Sequence, residues 1–499
     1  MPAPLRNLPE LRLAVVGVSR NCFPAELTRT RLAQVVAAGR KRRLDLIVCD
    51  TTVETEKDAG KALAELRAQR ANALVVYLGN FGPEGPLTIL AQEFGGPFML
   101  AGAAEEAAGT LVEGRGDAYC GMLNASLNCG LRRLRPHIPA VPVGGPEAVA
   151  DAMVHFAAVA RVVLGLRDLK VFAFGPRPQD FYACNAPIQP LHDLGVEVME
   201  NSELDLLQIY QQAAAKKKAV EAVAASIRRE VGAAAFAKNP KKLQQFAQFE
   251  VALLDFFEKN LGRSKYGVFA DKCWPAFESF FGFVPCYVNS RLASQGIPVA
   301  CEVDIYGAVS EYLAQCASLT PATLLDINNT VPDDLEIADL KGAGRGDLFM
   351  GFHCGNTSKC NLCEGCGLKY QLIMHRLMEP DKEPDITWGT LEGTLKPGAA
   401  TVCRLQADGD NHLQAYLAEG HVLEADPHSF GGIGIIGIPN FARFYRHVLL
   451  GKRFPHHTAM VWAHAGRVLF DALQLAGVAD ISVPRQPGSL YAGENPFGA

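Results

Sequence analysis

Two doubly wound α/β layers followed by a mixed domain with a β-barrel part: three observations along the 499 residues predict this fold class. Short, continuously apolar runs alternate with amphipathic stretches over the first hundred residues. A second series of the same kind opens near residue 169. Beyond residue 385 the texture becomes β-rich and punctuated by Gly and Pro. Apolar strands separated by helices indicate parallel pairing buried on both faces, whereas short strands between turn signals suit a small barrel or sandwich.

The first layer is read from Leu11 to Val18, Asp45 to Asp50, Ala73 to Gly79 and Pro97 to Gly102, with LTRTRLAQVVAAGRKRR as an intervening helix. LKVFAFG (Leu169 to Gly175) and VEVME begin the second. A helical tract is expected from about Ser202 to Leu261, its charge run being a solvated face. PVACEVD, PATLLDINN and GDLFMGFHCG are expected strands, and the last sixty residues return to helix.

Composition narrows the function. Lys and Arg number 48 against 53 Asp and Glu, and the net charge of −5 gives no electrostatic case for nucleic acid or a membrane surface as partner. No apolar run reaches the 18 or so residues of a bilayer span. The start shows no basic segment leading into a cleavable apolar stretch, which implies a cytoplasmic chain. Fourteen cysteines there imply reduced thiols or a metal site.

Three clusters carry chemistry. Seven of the twelve histidines lie between His412 and His464, including His456-His457; neutral imidazole is the commonest nitrogen ligand for a divalent metal, and the other reading is that the pair caps a helix or sits on its surface. Glu302 and Asp304 are expected at the C-terminal end of a buried strand, on one face, where a cation would satisfy both; the other reading is a helix cap and a salt bridge. Asp326, Asn328, Asn329 and Glu278 are further polar residues in apolar surroundings. Cys354, Cys360, Cys363 and Cys366 have the spacing of zinc or iron–sulfur ligation, or are plain reduced thiols. Gly432-Ile-Gly434-Ile-Ile-Gly437 is not a dinucleotide loop, because Pro439 follows and no strand–helix unit frames it. Serine-hydrolase and phosphate-loop motifs are missing.

From Cys273-Trp274 onward the motifs CWPAFESFF, CEVDIYGAV, LLDINN, GFHCGN, GTLEGTLKPGAATVCRL and PHHTAMVWAHAG resemble the L-fucose/L-arabinose isomerase superfamily, in its L-fucose isomerase-like branch. The resemblance implies two Rossmann-like domains, 1–163 and 164–298, and a C-terminal domain, 299–499, that contains the barrel and metal-site residues. It implies an aldose–ketose isomerase of a free pentose or deoxyhexose, working by cis-enediol proton transfer with Mn2+ or another divalent cation. By motif position, Glu278, Asp304 and His457 are the metal ligands and Glu278 and Asp304 the catalytic pair, 26 residues apart where the family's pair lies about two dozen apart. Glu302 is the alternative to Asp304. Glu302, Asp326, Asn328, His353, Asn356 and Trp274 are expected to contact the sugar. The family's active site is closed by a neighbouring subunit, so a homo-oligomer (trimer or hexamer) is implied, with Arg20, Asn21, Asn80 and Phe81 reaching across. The Cys360-Cys363-Cys366 insert departs from the family pattern and leaves room for zinc or an iron–sulfur cluster, and for a different substrate such as an anionic sugar. Competing expectations are a metal-thiolate enzyme on the same scaffold and a non-catalytic sugar-binding protein.

Overall fold

Five apolar runs make the first sheet: β1 (Leu13–Val18), β2 (Leu46–Val48), β3 (Ala73–Leu78), β4 (Phe98–Ala103) and β5 (Val143–Gly144). All pairings are parallel and the order is β2-β1-β3-β4-β5. Because successive strand side chains point to opposite faces, Ala14, Val16, Val18, Leu74, Val76 and Leu78 share one face and pack on Ala59, Leu63, Leu66, Leu90 and Met122 of the helices. The strand order reverses between β1 and β3, which opens a crevice at their C-terminal ends. The computed structural model describes residues 5–112 and 114–497. These fall into two units: Pro9–Leu164 with Asp471–Gly477, and Gly165–Phe470 with the remaining described residues.

The helix Pro146–Arg167 is long and apolar enough to cross a bilayer, yet 61% of its most apolar window is buried inside the protein. Val149, Met153, Phe156, Ala160 and Val163 are core residues, so its hydropathy is that of a packed helix.

In the other unit, β6 (Leu169–Gly175), β7 (Glu197–Ser202), β8 (Tyr266–Ala270) and β9 (Val299–Ala300) form a parallel sheet in the order β7-β6-β8-β9. The helical tract expected over 202–261 is three helices, Glu203–Ala213, Lys217–Val231 and Pro240–Asn260. Gly232, at φ 85°, ends the second, and Pro240 opens the third. Both residues act as the usual helix stop and start.

The same unit holds a nine-stranded mixed sheet built from β10 (Thr323–Asn329), β11 (Leu348–His353), β12 (Gly367–Tyr370), β13 (Trp388–Thr394), β14 (Gly398–Ala407), β15 (Leu413–Val422), β16 (Gly432–Gly437), β17 (His457–Val461) and β18 (Asp480–Ser482). The order is β12-β13-β16-β11-β10-β17-β14-β15-β18, and β15 pairs additionally with β16 through His421↔Gly437 and Val422↔Ile436. The Gly-x-Gly-x-x-Gly segment is β16 itself, fully buried. Its glycines answer to packing: a Cβ on Gly434 would meet Leu395 at 2.8 Å.

PVACEVD is mostly not a strand. Only Val299–Ala300 is extended, and Glu302 and Val303 then take left-handed backbone at φ 61° and 57°. The turn is pinned where Val303 N donates to Asp271 O at 2.8 Å, and Asp304 caps the helix Ile305–Ser318 by accepting from Gly307 N at 2.9 Å. Glu302 and Asp304 therefore do not share a strand face. Left-handed backbone at two non-glycine residues in a row is strained and marks functional turns.

Candidate active site

The centre of the site is a cross-strand pair. Asp326 on β10 lies opposite His457 on β17, and His353, at the end of β11, brings a ligand atom within 4.8 Å of both. The register breaks between Ile327 and Asn329, which leaves Asn328 exposed and hydrogen-bonded to Asn329 at 3.0 Å. The left-handed turn after β9 brings Glu302 to the same place from the parallel sheet.

His457 is held from one side. Its Nδ1 is 2.8 Å from Asp304 Oδ2 and its Nε2 faces Glu302 Oε2 at 3.1 Å and Asp326 Oδ1 at 3.4 Å; with the Nε2 proton displaced by a cation, the proton on Nδ1 would stay with Asp304 and the Nε2 lone pair would point to the same place. A carboxylate fixing the far nitrogen of an imidazole is the usual outer arrangement of a metal-ligating histidine. Close as they are, Glu302 Oε2, Asp326 Oδ1 and His457 Nε2 are buried and lack a hydrogen bond of proper geometry. Three converging donor atoms left over in this way fit a divalent cation, and two carboxylates with one imidazole suit Mn2+ or Mg2+ better than a thiophilic metal. Glu302 and Asp326 keep 18% and 19% of their side-chain surface, so such a cation would have positions open to a substrate.

Asp304 is fully engaged elsewhere. Arg404 on β14 donates Nη1 to Oδ2 and Nη2 to Oδ1, and Gln406 holds the guanidinium in place. A Cβ at Gly307 would come within 2.5 Å of Asp304 Oδ2, so glycine is needed there. Burial pushes the Asp304 carboxyl up, but the charge of Arg404 and the hydrogen bond to His457 outweigh it and hold the group well below the usual range. Burial likewise raises Glu302, and His457, with His353 and His456 behind it, overcomes that and keeps it low. His457 is carried well above an ordinary imidazole: burial opposes this, and Asp304, Cys184 and Glu302 prevail.

His353 has a different tautomer. Its Nδ1 accepts from Cys354 N at 2.9 Å, so neutral His353 carries its proton on Nε2 and presents a donor, not a lone pair, to the site. Burial lowers its pKa and favours that neutral form. Cys184 Sγ lies 3.6 Å from His457 Nδ1. Trp274 is edge-on to Phe181 at 6.0 Å, and Phe181 edge-on to His456 at 5.5 Å, an aromatic wall beside the carboxylates. Asn356 is buried, its Oδ1 without a hydrogen bond.

Glu278 lies elsewhere. It is fully buried in the short helix Phe277–Phe281, both oxygens lack hydrogen-bond partners, and burial together with the Glu203 charge pushes it up to about 8. Among the described residues no cluster of metal-ligating atoms includes it; those around His457 draw on Cys184, Glu302, Asp304, Asp326, His353 and His456. The cysteine run does not converge either. Cys354 shares Gln371 with Cys273, at 3.5 and 3.7 Å, while Cys360 and Cys363 contact Asn361 and Leu395 O. In the first sheet, Asn80 is buried and braces the strand ends, accepting from Arg20 N and Gly82 N and donating to Ser19 Oγ. The Arg20 guanidinium lies 5.0 Å from the Phe81 ring centre, and Asn21 is exposed.

Phe181 and Cys184 carry no signal in the sequence, and Arg404 carries one that is easily passed over. An arginine inside the apolar run TVCRLQA is a signal for a buried ion pair. For Glu302 with Asp326 the signal is spacing: they stand 24 residues apart.

Parallel layers, a mixed sheet and a carboxylate–imidazole centre at the sheet's middle define the class of protein. Two family models match the chain, one described as fucose/sulfoquinovose isomerase, N-terminal domain, over residues 14–167, and one as L-fucose isomerase, C-terminal domain, over residues 351–482. The chain belongs to the fucose isomerase-like family. It is 25% identical to a sulfoquinovose isomerase of Alkalicoccus urumqiensis over 327 residues, 64% of this chain and 66% of the relative. Over 308 residues it is 25% identical to a sulfoquinovose isomerase of Clostridium sp. (strain MSTE9), covering 59% and 61%. A sulfoquinovose isomerase of Priestia megaterium is 26% identical over 184 residues, 36% of this chain and 40% of that protein. The chain thus spans less than two thirds of the length of these curated relatives.

Proposed function

We propose that this chain is a divalent-metal-dependent aldose–ketose isomerase of a free sugar, with Glu302, Asp326 and His457 holding the cation. The observation that carries the reading is the convergence of Glu302 Oε2 and Asp326 Oδ1 on His457 Nε2, at 3.1 and 3.4 Å, three buried atoms with no hydrogen bond of proper geometry. When bound, the cation supplies Lewis-acid stabilisation of negative charge on two neighbouring sugar oxygens. The chain's own residues do the rest. Glu302, held ionised by His457, and Asp326 flank the reacting carbons, so one takes a proton from the carbon next to the carbonyl and a proton is returned to its neighbour. His353 donates Nε2–H to a sugar oxygen. Asp304 and Arg404 position His457 and take no proton. Phe181 and Trp274 offer an apolar face to the sugar ring. Glu278, a neutral acid away from this cluster, stands outside the chemistry.

The names of the relatives favour a substrate of deoxyhexose size, sulfoquinovose among them. The fourteen free cysteines support a reduced, cytoplasmic protein. The β15–β16 pairing supports closure of β16, β11, β10, β17, β14 and β15 into a barrel. Arg20 over Phe81, at the crevice of the first sheet, supports contacts from this face to a neighbouring copy's site. An assay with added Mn2+ on L-fucose, L-arabinose and sulfoquinovose, run in deuterated water, tests the reading. Aldose–ketose conversion with deuterium in the product upholds it. Conversion without deuterium favours a hydride shift, and no conversion of any sugar, with Mn2+ bound, overturns it.

A further inference from the structure

The unit of Pro9–Leu164 and Asp471–Gly477 contains a second meeting of metal-ligating side chains. His137, His155 and Asp471 each present a ligand atom, all within 4.8 Å of one another. His155 Nε2 is 2.6 Å from Asp471 Oδ2, a contact between residues 316 apart in the sequence. The His137 and His155 ring centres are 5.7 Å apart, and the His137 ring stacks on Phe156 at 5.5 Å.

We propose that these three residues bind a zinc-class divalent cation, distinct from the carboxylate-rich centre. Beside the His155–Asp471 contact, His137 brings a second imidazole ligand atom within 4.8 Å of both. Two imidazoles and a carboxylate are the three-ligand set that zinc accepts, with water as the fourth ligand. For the same donor set Mn2+ binds more weakly than Co2+ or Zn2+, so this site selects a different metal from the one suited to Glu302 and Asp326. Two of the ligands have fixed backbones. His137 N donates to Phe98 O at 2.8 Å and His137 O accepts from Leu100 N at 3.1 Å, which joins it to β4, and His155 lies within the helix Pro146–Arg167. Asp471, on the helix Gly466–Ala476, keeps 25% of its side-chain surface and has room to open the 2.6 Å contact to about 3.3 Å, the ligand spacing of a tetrahedron with ~2.0 Å bonds. His137 and His155 keep only 7% and 14%, so the cation would be shielded from competing ligands. Bound there, it ties a segment from the far end of the sequence onto the first sheet's unit.

The test is a Co2+ titration of the full chain followed by visible absorption, with displacement by Zn2+. The wild type is expected to bind one Co2+ with the intense band of a four-coordinate ion, removed by Zn2+. His155→Gln and Asp471→Asn are expected to weaken that binding by at least ~10-fold, whereas His457→Gln keeps the band. Asp471→Asn is near-isosteric and partly exposed, so it serves should His155→Gln fail to fold. Absence of the band from the wild type overturns the proposal, as does its persistence in Asp471→Asn or its loss in His457→Gln. The readout is independent of whether the carboxylate centre proves catalytic.

Discussion

Arg404 grips Asp304 with both terminal nitrogens on both carboxylate oxygens, and the two side chains retain 0% and 1% of their surface. A charge pair this deep is not a net source of stability; removing one partner, however, strands the other and costs about 3–5 kcal/mol. What the pair secures is the orientation of His457. Asp304→Asn, which keeps the shape and loses the charge, is expected to lower Mn2+ affinity by ~10–100-fold, read by calorimetric titration. Arg404→Met is expected to lower the unfolding midpoint as well. An Asp304→Asn protein with wild-type affinity would remove Asp304 from its positioning role.

Glu302 and Asp326 should be inseparable in their effects. Glu302→Gln and Asp326→Asn are each expected to reduce kcat/KM by ~10²–10⁴, with the secondary structure unchanged by circular dichroism. Glu278→Gln, by contrast, should leave kcat and Mn2+ affinity within a few-fold of wild type. A large loss in Glu278→Gln with both carboxylates of the pair intact would bring Glu278 back into the reaction.

Glu311 gives a pH prediction. It is buried beside Asp304, its Oε2 lacks a hydrogen bond, and burial with the Asp304 charge pushes it up to about 8. In the unfolded chain a glutamate titrates near ~4.3. Between these values the folded protein binds a proton that the unfolded chain does not, so stability present at low pH is lost as pH rises toward 8, by an amount of order several kcal/mol. Glu311→Gln removes that dependence. Its unfolding midpoint is expected to exceed the wild type's at pH 8 and to converge with it near pH 5; parallel curves would contradict the assignment.

Cys360, Cys363 and Cys366 should be dispensable for metal binding, since they turn to different partners. The triple Cys→Ser protein is expected to carry the same metal content as wild type by elemental analysis. Zinc or iron lost in step with the substitutions would restore the thiolate site.

Much of this arrangement was legible in the sequence, and the failures share a cause. β1, β3, β4 and β6 follow from apolar runs that only a two-sided sheet can bury. The residues of the site were visible too: Glu302, Asp326, His353 and His457 all stood out. Extended backbone through Asp304 is what the apolar run PVACEVD suggests, and it would put Glu302 and Asp304 on one face. The left-handed pair Glu302-Val303 breaks that periodicity, and no local residue preference announces it, since neither position is glycine. The hydrogen bond that Val303 N donates to Asp271 O and the cap that Asp304 makes on the following helix impose it. The Glu302–Asp326 spacing was the readable clue, whereas the bond from Cys354 N that fixes the His353 tautomer needed coordinates.

We propose Glu302 and Asp326, with His457, as the cation site. Its most direct test is an electron paramagnetic resonance titration of Mn2+ into wild type, Glu302→Gln, Asp326→Asn and Glu278→Gln. One Mn2+ bound by wild type and by Glu278→Gln, and lost from the other two, is the predicted result. Undiminished binding in Glu302→Gln and Asp326→Asn together would contradict it.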